Sequence, residues 1–411
     1  MLTRAGAGVA AGLAIAAAFL MAGPAAVAAQ AAPGAQAAHL STHRGSTRSG
    51  ELFPVSAKGR LAAEMRQAWH VTRGKGVTIA LLSTAVDGVS GLSGKLTIGP
   101  DYAPLAGASA TDGTVLASLI AGSGPASTSP FGSIGRAPAA RILVERIVDY
   151  DSRGGAKYQK AGIWQAILAK AIRYAANHGA GVIVTLESGG ADSAGLESAV
   201  EYAVSRNVVV LGSSDSLGGK LTAPAYPDSS PGVINFTGQL LAGLPKPAKR
   251  VSTPANSSVL VTAPDNVLPE TGPGSQPYTA WGNYTDIAWV AGTVALIKSA
   301  YPQITPAQVA LALAESASYH PPGGYDTMVG FGLLNPAGAV HDAGRIVQLG
   351  LTAGAGPDVF GAHSQFGVPQ TAVISAVHHS PVVLAGYGSA IVAGIILLAV
   401  ALVLGVRSRR A

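Results

Sequence analysis

Four short runs of β-branched and apolar residues constrain this chain most: Gly76–Ser83 (GVTIALLS), Arg141–Val148 (RILVERIV), Gly181–Leu186 (GVIVTL) and Asn207–Gly212 (NVVVLG). Each is close to continuously apolar, the pattern of a strand covered on both faces. Helical spacing lies between them: Ile163, Ile167, Ala171 and Tyr174 recur within Tyr158–Asn177, and Leu196, Ala199 and Tyr202 within Ala194–Ser205. Strands alternating with helices predict an α/β fold, a parallel central sheet with helices on both faces. Further on, Thr305 is followed by Pro306 and, three residues after the threonine, by Gln308. That is a capping-box helix start with proline where its missing N–H is harmless.

Hydrophobic residues make up 48% of the 411 and charged residues only 12%, too apolar for an ordinary soluble chain, which directs attention to membrane segments. Two candidates stand out. Near the N-terminus, Arg4, the apolar run Val9–Met21 and Ala26-Val27-Ala28 have the charge, core and small-residue cleavage site of a signal peptide. The alternative, a retained anchor, needs about 20 apolar residues, more than this core offers. Near the C-terminus, Val382–Val406 carries no charge and is followed by Arg407, Arg409 and Arg410. A run of that length spans a bilayer, and the arginines hold its end in the cytoplasm; a buried core helix is the alternative, against which stands its lack of any polar face. The expected layout is a signal peptide over 1–28, a disordered linker over 29–60, a folded domain over 61–344, a stalk over 345–381, the span over 382–406 and a basic tail over 407–411. The bulk of the chain is then extracytoplasmic on a single-pass anchor.

The chain has no cysteine, which excludes a disulfide framework and a thiol nucleophile. The net charge is +6, but the basic residues are scattered apart from a mild cluster of Arg44, Arg48, Lys58, Arg60, Arg66, Arg73 and Lys75. No aromatic interleaving or motif accompanies them, so a nucleic-acid partner is not expected. The sequence holds no phosphate-binding glycine loop, dinucleotide fingerprint or paired metal-ligand spacing, and no cofactor or metal is expected.

Three segments resemble the catalytic motifs of the subtilisin-like serine protease (subtilase) family. GVTIALLSTAVDGV (Gly76–Val89) resembles the strand that carries the family's aspartate, with Thr84, Val86 and Asp87 matching and Ser83 in the aspartate's place. DGTVLASLIAG (Asp112–Gly122) resembles the histidine motif, with Gly113, Thr114, Ala117, Ile120, Ala121 and Gly122 matching and Asp112 in the histidine's place. GNYTDIAWVAG (Gly282–Gly292) resembles the serine motif, with Gly282, Val290, Ala291 and Gly292 matching and Tyr284 in the serine's place. Scaffold signatures survive better: GRAPAARI (Gly135–Ile142), YPDSSPGVI (Tyr226–Ile234) and GFGLLNPAGAV (Gly330–Val340) follow in family order. The layout resembles the mycosin branch, whose members are secreted, C-terminally anchored and associated with type VII secretion.

The resemblance implies a subtilisin-like fold and a serine-type endopeptidase centre, yet the triad positions read Ser83, Asp112 and Tyr284. Serine proteolysis needs a hydroxyl, an imidazole to take its proton and a carboxylate to orient the imidazole. None of the nine histidines (His39, His43, His70, His178, His320, His341, His363, His378 and His379) lies in the three motifs. A phenol, with a pKa near 10, is a poor nucleophile without strong activation. By resemblance the oxyanion-hole asparagine falls at or near Asp215 or Ser216, and a carboxylate there repels a developing oxyanion. The peptide-pairing segment corresponds to Leu186, Glu187, Ser188 and Gly189. The expectation is an inactive homologue that binds a peptide or partner protein. Two alternatives stay open: a hydrolase using Asp112 with Glu187, Asp215 or Asp286 as acid and base, and a structural envelope protein with an empty cleft.

Overall fold

In the computed structural model the described residues are 53, 56–103, 109–124, 133–148, 163–185, 193–213, 227–228, 230–239, 257–265, 267–280 and 282–350. All of them belong to the unit Ser49–Ala411. The proposed signal peptide, membrane span and basic tail lie outside them, as does the proposed stalk beyond residue 350. Among the described residues no helix is long and apolar enough to cross a membrane.

Seven strands form one parallel sheet: β1 (Thr78–Ser83), β2 (Leu96–Asp101), β3 (Arg141–Arg146), β4 (Ala180–Thr185), β5 (Val209–Ser213), β6 (Val233–Gln239) and β7 (Val259–Pro264), ordered β2-β3-β1-β4-β5-β6-β7. The four runs singled out in the sequence become β1, β3, β4 and β5, each within two residues of its expected edges where both edges are described. Their residues alternate between two cores. Ile79, Leu81, Ile142, Val144, Val182, Val184, Val209 and Leu211 face one layer. Ala80, Leu82, Leu143, Ile183 and Val210 face the other. β1, β3, β4 and β5 are buried on both faces, which is why these strands could dispense with polar alternation, whereas the edge strand β2 is largely open.

The second layer holds α3 (Ile163–Asn177) and α4 (Ala194–Ser205). The first holds α1 (Ser56–Val71), α2 (Thr111–Ala121), α5 (Asn283–Ala300), α6 (Pro306–Ser316) and α7 (Pro336–Gln348). A hairpin of β8 (Leu268–Thr271) and β9 (Pro277–Ala280) leads into α5. The periodicity predicted α4 with its observed ends. The capping box of α6 is complete, with Gln308 N donating to Thr305 Oγ1 and Thr305 N donating to Gln308 Oε1.

Helix α1 starts at Ser56, inside the segment expected to be a disordered linker. The reason is a small apolar cluster in which Phe53, just before the helix, and Ala57 and Leu61, four apart on one helical stripe, pack against Val329 and Leu333. At the other end α7 runs on to Gln348, past the expected boundary at 344. Beside the first layer Arg136, from the GRAPAARI segment, is buried with its guanidinium 4.4 Å from the Trp289 ring centroid, and its carbonyl accepts from Trp69 Nε1. Burial pushes this guanidinium down to about 10, opposed by the charge of Glu270.

Candidate functional site

The three degenerate positions sit where the fold gathers the carboxyl end of β1 and the first turns of α2 and α5. Ser83 closes β1 and is fully buried, and its Oγ has no hydrogen-bond partner. The next residue ties strand to helix: Thr84 Oγ1 accepts from Gly113 N at 2.9 Å, and Thr114 Oγ1 accepts from Asp87 N at 2.8 Å. Gly113 is required here, since a Cβ on it would lie 2.4 Å from the Ala85 carbonyl oxygen. These contacts fix the start of α2 and so aim Asp112.

Helix α5 begins after Gly282, whose φ of +66 favours glycine. Gly282 N donates to Asp265 O at 3.0 Å, and Thr285 Oγ1 donates to Pro264 O and Gly282 O at 3.1 and 3.0 Å. The turn thereby hangs on the end of β7 and presents Tyr284 toward α2.

Asp112 and Tyr284 meet. Tyr284 Oη donates to Asp112 Oδ1 at 2.5 Å, a charge-assisted length. Burial raises the Asp112 carboxyl, and the hydrogen bond from Tyr284 pulls it back down. Tyr278, on β9, is hydrogen-bonded to Tyr284; burial and the charge of Asp112 raise its phenol, which the bond to Tyr284 lowers. The centre is therefore two phenols and a carboxyl joined in sequence. Tyr284 is half-buried against the first core layer.

The other sequence candidates divide. Asp286 is fully buried, accepting from Ile287 N at 2.5 Å and from Ser213 Oγ at 3.4 Å. It faces inward under α5, anchored to β5, and not into a cleft. Asp215, Ser216, Leu186, Glu187, Ser188 and Gly189 lie outside the described residues. Of the histidines, His70, His178, His320 and His341 are described, and all four are exposed. The three that have hydrogen bonds make them outside the centre: His178 with Tyr174, His320 with Phe331 and His341 with Asp342. Among the described residues no group of three or more His, Asp or Glu could hold a metal ion. A cavity of about 150 Å³ opens where Ala85 and Val86 face Gly99, Asp101 and Arg146. That is below the ~300 Å³ of a small-molecule site.

Sequence reasoning missed Tyr278. It is six positions from Tyr284 and belongs to a different element, so only the hairpin brings the two phenols together. Chemically the centre can share a proton between phenol and carboxyl, but among the described residues it offers no imidazole to carry that proton to a leaving amine.

No protein-family model matches the chain. Among curated relatives it is 29% identical over 313 residues to mycosin-1 of Mycobacterium tuberculosis, covering 65% of this chain and 69% of that protein. It is 30% identical over 236 residues to thermitase of Thermoactinomyces vulgaris, covering 57% of this chain and 78% of thermitase. Among solved structures it resembles MycP1, a serine protease described as an essential component of the type VII (ESX-1) secretion system. That likeness has a TM-score of 0.58 at 28% identity, over 70% of this chain and 88% of that one. By its fold, its ordered motifs and these likenesses, the chain belongs to the subtilisin-like protease family and shares the mycosin fold.

Proposed function

We propose that this protein is an extracytoplasmic, membrane-anchored subtilase homologue that does not cleave peptide bonds and instead binds a peptide or partner protein at a type VII secretion assembly. The observation that carries the reading is the bond from Tyr284 to Asp112. It engages the only acidic side chain at the centre among the described residues and puts a phenol ring in the nucleophile's place. Ser83, the one hydroxyl of the three positions that an aliphatic nucleophile would need, is fully buried and has no base beside it. Loss of a complete triad leaves at best ~10³–10⁴-fold over water.

The secretion role rests on the likeness to mycosin-1 and to MycP1. The anchor rests on Val382–Val406 and the arginines after it, and export rests on the segment over 1–28. Against the carboxylate-hydrolase alternative stands the burial of Asp286, which accepts a hydrogen bond from Ser213 on β5.

The test uses the full chain with a fluorophosphonate probe and with casein from about pH 3 to about pH 9. The expected result is no labelled serine and no turnover at any pH. Labelling of a serine, or casein turnover that Asp112→Asn abolishes, overturns the reading.

A further inference from the structure

The outward side of the α3–α4 layer carries an arrangement that the catalytic centre does not use. Two guanidiniums approach the Tyr202 ring, Arg173 at 5.0 Å and Arg206 at 4.8 Å from its centroid. Tyr202 Oη donates to Asn177 Oδ1 at 2.6 Å, and Arg173 Nη2 donates to Ser198 Oγ at 2.8 Å and Ser198 O at 3.1 Å. The ring and one guanidinium are thus held in place across the two helices. Beside them Tyr174 stacks on His178 at 3.6 Å, with planes 16° apart.

Neither arginine forms an ion pair among the described residues. Arg206 stands at the carboxyl cap of α4, where the helix dipole favours a cation. That accounts for Arg206 alone. Arg173 lies on α3 and directs its donors to α4, so the dipole of its own helix does not explain it.

We propose that this face docks an acidic segment of a partner protein, whose carboxylates pair with Arg173 and Arg206 beside Tyr202. A guanidinium over a ring keeps in-plane N–H donors for a carboxylate; in Arg173 these are the donors other than Nη2, which Ser198 already engages. Because stacking has already ordered the side chains, less rotamer entropy is lost on binding. Arg and Tyr are also the residues that dominate interface energetics. Charge complementarity favours a protein over a nucleic acid or an anionic bilayer. Glu197 and Glu201 share α4 with Tyr202, and they would repel a continuous phosphate array while leaving room for a carboxylate placed at the arginines. The face lies on the opposite side of the sheet from α2 and α5, so the proposal stands apart from whether the centre is inert.

The experiment titrates the full chain against a fluorescein-labelled, glutamate-rich peptide by anisotropy, with duplex DNA and anionic phosphatidylglycerol vesicles in parallel. Arg173→Gln/Arg206→Gln is expected to weaken peptide binding about tenfold. Arg66→Gln/Lys75→Gln, an equal loss of charge on exposed residues in and after α1, is expected to leave it within about twofold. Arg206→Gln alone, at a guanidinium with no hydrogen bond among the described residues, is expected to fold normally and weaken binding by several-fold. Three results would overturn the proposal: no peptide binding, equal losses in the two charge-matched pairs, or an arginine-dependent preference for DNA or vesicles.

Discussion

Tyr284 and Asp112 turn a proton-relay geometry into a closed contact. In a serine protease the group beside the nucleophile must accept its proton and then release it to the leaving amine, which calls for a titration near neutrality. Here the partners are a phenol, ordinarily near 10, and a carboxyl that burial raises and the phenol lowers. Another carboxyl of the fold gives a sharper pH test. Glu145 on β3 is fully buried with no partner for either oxygen, and burial pushes it up to about 8 from 4.5. Its folded pKa lies above its unfolded one, so the native state holds a proton that the unfolded chain releases. Stability from this group is therefore full below about pH 4.5 and lost as pH rises through about 8. Glu145→Gln is expected to remove a slope of up to ~1.4 kcal/mol per pH unit over that window, measured by urea denaturation against pH. An unchanged slope would show that Glu145 does not hold this proton.

Helix ends and strand runs were the elements most legible from sequence, because their physics is local. Thr305, Pro306 and Gln308 announce the start of α6 without reference to the rest of the chain, and both capping-box bonds form. Thr305→Ala is expected to lower stability by about 1 kcal/mol, read as a shift in the denaturation midpoint at constant m-value. The β-branched runs of β1, β3, β4 and β5 were equally plain, since burial on both faces suppresses alternation. The start of α1 was obscured because Lys58, Gly59 and Arg60 interrupt its apolar stripe with polar and flexible residues. What fixes it is a long-range contact of Phe53, Ala57 and Leu61 with Val329 and Leu333, which no local pattern encodes.

For the whole molecule, the described residues keep the family fold around positions that we propose have lost their chemistry. The correspondence proposed for the triad positions rests on the matching residues around them, and two of these, Gly113 and Gly282, have structural duties: close approach to Ala85 and a positive φ before α5. That Tyr284 would bond Asp112 depends on α5 packing against α2, and that Tyr278 would join them depends on the hairpin; neither could be read from spacing. The same holds for Asp286, named from the sequence as an acid or base candidate, whose buried side chain accepts from Ser213. The central claim, that peptide bonds brought to this centre stay whole, is tested most directly by incubating the full chain with a diverse peptide library and sequencing new termini by mass spectrometry. The expected result is a set of termini indistinguishable from that of the Asp112→Asn/Tyr284→Phe variant. New termini made by the natural chain and absent with that variant would contradict it.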